Sequence, residues 1–211
     1  MDAMSVFVLM LELLGTVAFS ASGSIIAIRK KMDVFGVCVL GLTTAVGGGI
    51  IRDLLLGITP PSTFFNPIYA TTSVIVSLIV FLKPVRRYLT GTHAVYDRTM
   101  LVVDSMGLGL FTALGVSITK AAVPDAGFFL TVFVATISSV GGGLMRDIMA
   151  GQTPFIFVKH VYACASLTGA VLCTLLWPFS GHIMAMILCA VTVFTIRILS
   201  AAFKWNLPKA D

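Results

Sequence analysis

Two apolar runs of the chain carry the same internal signature. GGGIIRDLLLGITPP spans residues 47–61 and GGGLMRDIMAGQTPF spans 141–155, identical at eight of fifteen positions: three glycines, Arg, Asp, Gly, Thr and Pro. The likeness continues upstream with the offset shortened by two residues. There LELLGTVAFSASG (Leu11–Gly23) matches VDSMGLGLFTALG (Val103–Gly115), pairing Glu12 with Asp104, Gly15 with Gly107, Phe19 with Phe111 and Gly23 with Gly115. Any fold for this chain must therefore be built from one unit used twice.

The unit belongs in a membrane. Apolar residues make up 58% of the 211 and charged residues 11%, with a mean hydropathy of +1.04. A soluble domain sits near 45–50% apolar and about 25% charged. A bilayer-crossing helix needs about 20 mostly apolar residues, and seven runs qualify: Val6–Ile28, Val34–Leu56, the short Pro67–Leu82, Met100–Thr119, Phe128–Ala150, Phe157–Trp177 and His182–Ala202. Prolines 60, 61, 84, 124, 154 and 178 punctuate their ends, where a helix must stop or turn. Trp177 and Trp205 stand at predicted ends, as interfacial anchors do. A β-barrel is excluded, because the runs are continuous rather than alternating and exceed strands of about 10 residues. The predicted fold is an all-α integral membrane protein with a single domain over 1–211. It comprises a three-helix repeat at 5–90, a second at 98–178 and a seventh helix at 181–203.

Three spans per unit is an odd number, so the second copy enters the bilayer from the opposite side. The result is an inverted-topology repeat. Spans two and five then run antiparallel, with their glycines facing each other near mid-membrane, Arg52 leaning toward one face and Arg146 toward the other. The start of the chain has no basic n-region, and Glu12 interrupts its first apolar run, which argues against a cleaved signal peptide. Basic residues fall after span one (Arg29, Lys30, Lys31), after span three (Lys83, Arg86, Arg87, Arg98), after span five (Lys159) and in the tail (Lys204, Lys209). Alternating helices put all four segments on one side, with Lys120 opposite. The positive-inside rule then places the N-terminus outside and the C-terminus in the cytoplasm. The net charge of +5 is thus a topology signal rather than a nucleic-acid one. The segment from Lys83 to Arg98 also suits lipid headgroups.

Three successive glycines each weaken a helix by about 1 kcal/mol relative to alanine. A kink or unwound segment is expected at Gly47, Gly48 and Gly49 and at Gly141, Gly142 and Gly143. Freed carbonyls there would face a cation, and freed amides an anion. Close packing of small residues is the alternative. Packing does not require the ionisable pairs that follow, and charges at membrane depth mark pathways. Arg52 with Asp53 and Arg146 with Asp147 are accordingly pathway candidates, with a salt link to a neighbouring helix as the architectural alternative. Adjacent residues on a helix do not face each other, so each arginine is expected to pair with something other than its own aspartate. Glu12 and Asp104 are candidate partners for Arg146 and Arg52, or acidic wall residues that favour cations. Thr44, Ser138 and Ser139, with Thr43, bond backbone carbonyls or line the pathway. Arg197 has no counterpart in the repeats and is expected to snorkel toward the cytoplasmic interface.

These stretches, with FSASGSIIAIRKKMDVFGV (Phe19–Val37), resemble the prokaryotic branch of the trimeric intracellular cation channel (TRIC) family. Its bacterial sequences also go under a glycine-transporter domain family (UPF0126-type). The resemblance implies a homotrimer of seven-helix protomers in the bacterial inner membrane. Each protomer would have its own hourglass pore for potassium and sodium, lined by spans two and five, kinked at Gly47–Gly49 and Gly141–Gly143, with Arg52 and Arg146 beside it. The KEGG-type phosphoinositide motif of animal members is absent here, so that regulation is not implied.

Two transport functions compete, a passive cation channel and a carrier for glycine or another small zwitterion, with a non-transporting membrane scaffold as a third class. Beside a pore, two arginines oppose cations unless acids or carbonyls offset them. For the carrier, Arg and free amides would hold a carboxylate while carbonyls hold an ammonium. No enzyme is expected: His93, His160 and His182 lack catalytic partners, and GGGxxRD lacks the GK[ST] ending of a P-loop. The four cysteines fall in apolar runs without metal-ligand spacing. No metal, cofactor or soluble protein partner is implied beyond the permeant ions and a bound lipid.

Overall fold

A computed structural model describes residues 3–158 and 161–205, and these are helical, with no strand among the described residues. The helices are α1 (Ala3–Arg29), α2 (Val34–Leu55), α3 (Ile68–Phe81), α4 (Lys83–Thr90), α5 (His93–Ala122), α6 (Phe128–Met149), α7 (Phe155–Val158), α8 (Tyr162–Leu176) and α9 (His182–Ala202). Five of them, α1, α2, α5, α6 and α9, are long and apolar enough to cross a membrane. The α3–α4 pair qualifies as one further span bent by 77°. Helix α8 is apolar but only 15 residues long.

Each boundary has a local cause. Asp33 caps α2 by accepting from Gly36 N at 2.7 Å, and Thr92 caps α5 by accepting from Val95 N at 3.3 Å, so orphan amides of the first turns are satisfied. The Thr92 cap starts α5 at His93, seven residues before the expected Met100, because HAVYDR continues the helix beyond the apolar run. The third span turns sharply at Leu82, where Pro84 sits in the first turn of α4. The sixth divides into α7 and α8, and Val161, just before α8, has φ +37°.

The expected unwinding at the glycines does not occur. Helices α2 and α6 run unbroken through Gly47–Gly49 and Gly141–Gly143, so their carbonyls stay within the helices. The reason is the neighbour each glycine meets. A Cβ on Gly48 would lie 2.1 Å from the Ser138 carbonyl oxygen, and one on Gly142 would lie 2.2 Å from that of Thr44. Hydrogens take those places, and Cα–H groups point at carbonyl oxygens across the crossing. Close packing, the alternative for these glycines, explains why the chain has no larger residue here.

The two contacts are one contact made twice, and their order runs oppositely along the two helices: 44 with 142, 48 with 138. A second such pair holds α1 to α5. Phe19 packs where a Gly107 side chain would be, Phe111 does the same at Gly15, and the two rings stack at 5.2 Å with 7° between their planes. Within each half the first helix packs on the second, and both pack on the third element: α1, α2 and α3, then α5, α6 and α8. Helix α9 lies against α5 and α8. Phe19 and Phe111 are 1% and 6% exposed. Truncating either to alanine is expected to destabilise the fold by about 3–5 kcal/mol, read as similar losses of thermal midpoint in detergent. A large difference between the two would contradict their equivalence.

Basic residues gather at one end of the bundle. Lys31, Lys83, Arg86 and Arg87 line one cavity of about 660 Å³. Arg29 reaches His93 Nδ1 at 3.2 Å and lies 4.0 Å over the Tyr96 ring. Lys159, His160 and Lys209 lie outside the described residues. Cys173 and Cys189 are buried, Cys38 and Cys164 are half-buried, and all four are free thiols.

Candidate functional site

One turn beyond each crossing glycine stands a buried arginine. The crossing is antiparallel, so Arg52 and Arg146 lie on opposite sides of it. Arg52 Nε donates to Asp53 Oδ1 at 2.8 Å, and its Nη2 lies 2.7 Å from the same oxygen. Asp53 Oδ2 accepts from Ser62 N at 2.8 Å and from Ser62 Oγ at 2.6 Å. Arg146 Nε donates to Asp147 Oδ1 at 2.9 Å. Asp147 Oδ2 accepts from Phe155 N at 2.8 Å, and Oδ1 also accepts from Gln152 Nε2 at 2.9 Å. In both halves, then, one aspartate holds its own arginine and ties down the loop that follows the helix.

The expectation that each arginine pairs with something other than its own aspartate fails at Arg52 and holds in part at Arg146, which binds Asp104 as well as Asp147. Adjacent Cβ atoms do point apart on a helix. The guanidinium, however, sits on a long stem that reaches back around the helix, and at 3% and 0% exposure Arg52 and Arg146 are withdrawn from bulk solvent. A buried charge takes the carboxylate within reach.

The acids of α1 and α5 join these pairs within their own halves. Arg146 Nη1 donates to Asp104 Oδ1 at 2.5 Å and makes a short contact with Ser22 Oγ. Asp104 is thus the partner of Arg146 rather than of Arg52. Glu12 shares a small pocket with Arg52, and its Oε2 accepts from Tyr69 Oη at 2.5 Å. Arg197 does not snorkel. It is 3% exposed, and its guanidinium lies 4.6 Å over the Tyr162 ring.

Sequence reasoning missed the two tyrosines. Tyr69 opens YATTS and Tyr162 opens YACAS, 93 residues apart, a third patch of the same repeat. Their serines bind the equivalent positions of the first helices. Ser73 Oγ donates to Ser20 Oγ at 3.0 Å, while Ser166 Oγ lies 2.9 Å from Thr112 Oγ1 and 2.6 Å from Ser139 Oγ. Thr43 and Thr44 bond the carbonyls of Val39 and Leu40, as expected of helix-borne threonines. Ser138 differs: its Oγ is buried at the crossing without a protein hydrogen bond.

Cavities reach the two clusters from opposite sides. One of about 20 Å³, lined by Glu12, Gly49, Arg52, Ser62, Thr63 and Tyr69, ends at Arg52. Another of about 320 Å³, lined by Asp97, Arg98, Asp104, Phe155 and Arg197, leads to the Arg146 cluster. Between them the Gly48–Gly142 crossing is closed. Two charge-compensated polar clusters thus stand within an apolar bundle, on either side of a backbone crossing.

Comparison with known proteins identifies this architecture. A family model described as Glycine transporter matches the chain at residues 9–84 and again at 101–178. The chain belongs to this family. Among relatives, a UPF0126 membrane protein of Deinococcus radiodurans is 37% identical over 193 residues, covering 90% of this chain and 86% of its own. The inner membrane protein YadS of Escherichia coli K12 is 35% identical over 201 residues, with 93% and 92% covered. A TRIC cation channel solved to explain its conductance is 35% identical, covers 96% of both chains and superposes with a TM-score of 0.84. The TRIC trimeric intracellular cation channel orthologue from Rhodobacter sphaeroides is 28% identical, covers 94% of this chain and 98% of its own, and also scores 0.84. The family and its structural neighbours are transporters and channels, not enzymes.

Proposed function

We propose that this protein is a passive channel for monovalent cations, potassium and sodium, with one pore per protomer of a homotrimer. The pore runs along the α2–α6 crossing, from the Arg52 cluster to the Arg146 cluster. The observation that carries this reading is the charge compensation of the arginines. Arg52 is bound by Asp53 with Glu12 in the same pocket, and Arg146 is bound by Asp147 and Asp104. Neither guanidinium presents uncompensated positive charge to a cation, which removes the main electrostatic objection to a cation pore. Ser138 Oγ, buried without a protein partner at the constriction, is a polar atom placed for a passing ion or its water.

The carrier alternative is less well served. It needs free backbone amides from broken helices and a guanidinium ready for a carboxylate. Here α2 and α6 are continuous and both guanidiniums are occupied by carboxylates. Opening of the channel is a separation of the two helices at Gly48 and Gly142. Voltage does work on that separation only through the net charge that moves, at about 2.3 kcal/mol per elementary charge per 100 mV across the full field.

In the membrane the α3–α4 pair serves as the third span, α8 as the sixth and α9 as the seventh. The halves are inverted, the N-terminus faces out, and the basic end meets the cytoplasmic leaflet of the inner membrane. There Lys31, Lys83, Arg86 and Arg87 suit anionic lipid headgroups. Planar-bilayer recording of the purified protein in potassium chloride, paired with glycine counterflow in liposomes, tests the function. Unitary potassium currents without saturable glycine counterflow are expected. Counterflow without unitary currents overturns the proposal in favour of the carrier.

A further inference from the structure

The crossing accounts for the first two glycines of each triple but not for the third. Gly47, Gly48, Gly141 and Gly142 each meet atoms of the opposite helix. Gly49 and Gly143 do not. A Cβ on Gly49 would find nothing nearer than Arg52 Nη2 at 3.8 Å and Thr63 Oγ1 at 4.0 Å. One on Gly143 would find Tyr162 Oη at 3.0 Å and Arg146 Nη2 at 3.6 Å. Neither glycine brings two backbones together, and alanine would suit either helix better. What each faces is the guanidinium one turn on, with a hydroxyl beside it.

The space kept open there is polar and short of partners. In the second half, Arg146 Nη2, Tyr162 Oη and Asp104 Oδ2 are buried without a hydrogen bond among the described residues. Buried groups of this kind are nearly always bonded to protein or to ordered water. In the first half the corresponding space is the cavity of about 20 Å³ walled by Glu12, Gly49, Arg52, Thr63 and Tyr69. A polar cavity of about 10–15 Å³ already holds a water molecule. A guanidinium only donates and a carboxylate only accepts. A cation would serve the carboxylate alone and an anion the guanidinium alone, whereas water serves both.

We propose that Gly49 and Gly143 each keep open a cradle for a water molecule beside the arginine, and that this water carries a cation past the guanidinium. The proposal rests on the channel function proposed above. The water accepts from the arginine N–H and turns its remaining lone pair to the ion. The cation then meets an oxygen where it would otherwise meet positive N–H groups. An alanine methyl takes the water's place and reproduces none of its bonds. The third glycine of each triple is thus a permeation residue, and the first two are packing residues.

Two measurements on the full chain test this. In X-ray footprinting, hydroxyl radicals made from bound water oxidise the side chains beside it. Tyr162 is 3% exposed and withdrawn from bulk radicals, yet it is expected to be labelled in the wild-type protein and protected in Gly143→Ala, as read by mass spectrometry. In planar bilayers, Gly49→Ala and Gly143→Ala are expected to lower unitary potassium conductance severalfold, with the thermal midpoint of Gly49→Ala unchanged or raised. If Gly143→Ala fails to assemble, Gly49→Ala decides alone, since its methyl group meets no atom closely. Unlabelled wild-type Tyr162, or labelling that persists in Gly143→Ala, overturns the cradle while leaving the channel intact. Wild-type conductance in a well-folded Gly49→Ala overturns its role in permeation. Absence of any unitary potassium current from the wild-type protein overturns the channel function and the proposal with it.

Discussion

Alanine at Gly48 or Gly142 will lower the thermal midpoint of the protein by roughly 5–10 °C, while alanine at Gly49 will leave it unchanged or raise it. A Cβ at Gly48 meets the Ser138 carbonyl oxygen at 2.1 Å, and one at Gly142 meets that of Thr44 at 2.2 Å. Both obstacles are backbone, so two helices must separate to admit one methyl group. Overpacking of this kind costs on the order of 3 kcal/mol, and for a chain of this size each kcal/mol moves the midpoint by about 2–4 °C. The obstacles at Gly47 and Gly141 are the Met145 sulfur at 2.6 Å and the Ile51 Cδ1 at 2.9 Å. These are ends of side chains that can turn aside, so their alanine variants are expected to lie between. At Gly49 the nearest atoms are 3.8 and 4.0 Å away, and alanine favours the helix by about 1 kcal/mol. A series graded in this order in detergent-solubilised protein supports the crossing. Equal losses at all five sites contradict it.

The two arginines will differ sharply when removed. Arg146→Ala leaves Asp104 and Asp147 buried without their cation, a loss of about 3–5 kcal/mol for a broken buried pair. Asp147 keeps its Phe155 and Gln152 donors. Among the described residues Asp104 keeps a long contact of 3.5 Å from Ser22 Oγ. Arg52→Ala is milder, at roughly 1–3 kcal/mol, because Asp53 retains both Ser62 donors and Glu12 retains Tyr69. Adding Asp104→Asn to Arg146→Ala should recover part of the loss, since partners in one network are not additive. Denaturation midpoints of the three variants check this. Equal effects of Arg52→Ala and Arg146→Ala would show that the two clusters are interchangeable.

The duplication made much of this legible before any coordinates. GGGxxRD at two places predicted the paired helices α2 and α6, and the matched Gly15, Phe19, Gly107 and Phe111 are the residues that lock α1 to α5. What stayed hidden was three-dimensional. Triple glycine has two opposite uses, breaking a helix or letting one approach, and only the carbonyl oxygens of Ser138 and Thr44 decide between them. Helical spacing says that Arg52 and Asp53 diverge, but it carries no information on how far a buried guanidinium reaches back along its own helix. Arg197 looked free to snorkel because its neighbour Tyr162 is 35 residues away in sequence. Tyr69 and Tyr162 were within reach of the same repeat logic, since YATTS and YACAS align, but the match is short and lies beyond the glycine block.

The central claim, that cations pass at the α2–α6 crossing, is tested most directly by a thiol placed there. Ser138→Cys, in a background whose four native cysteines are replaced, puts one reactive group at the constriction. Unitary potassium currents are then recorded before and after a small methanethiosulfonate reagent. The account predicts that modification blocks conduction stepwise, once per protomer, and that it proceeds faster when channels are held open. Full modification of Ser138→Cys, verified by mass, with currents unchanged would place the pathway elsewhere.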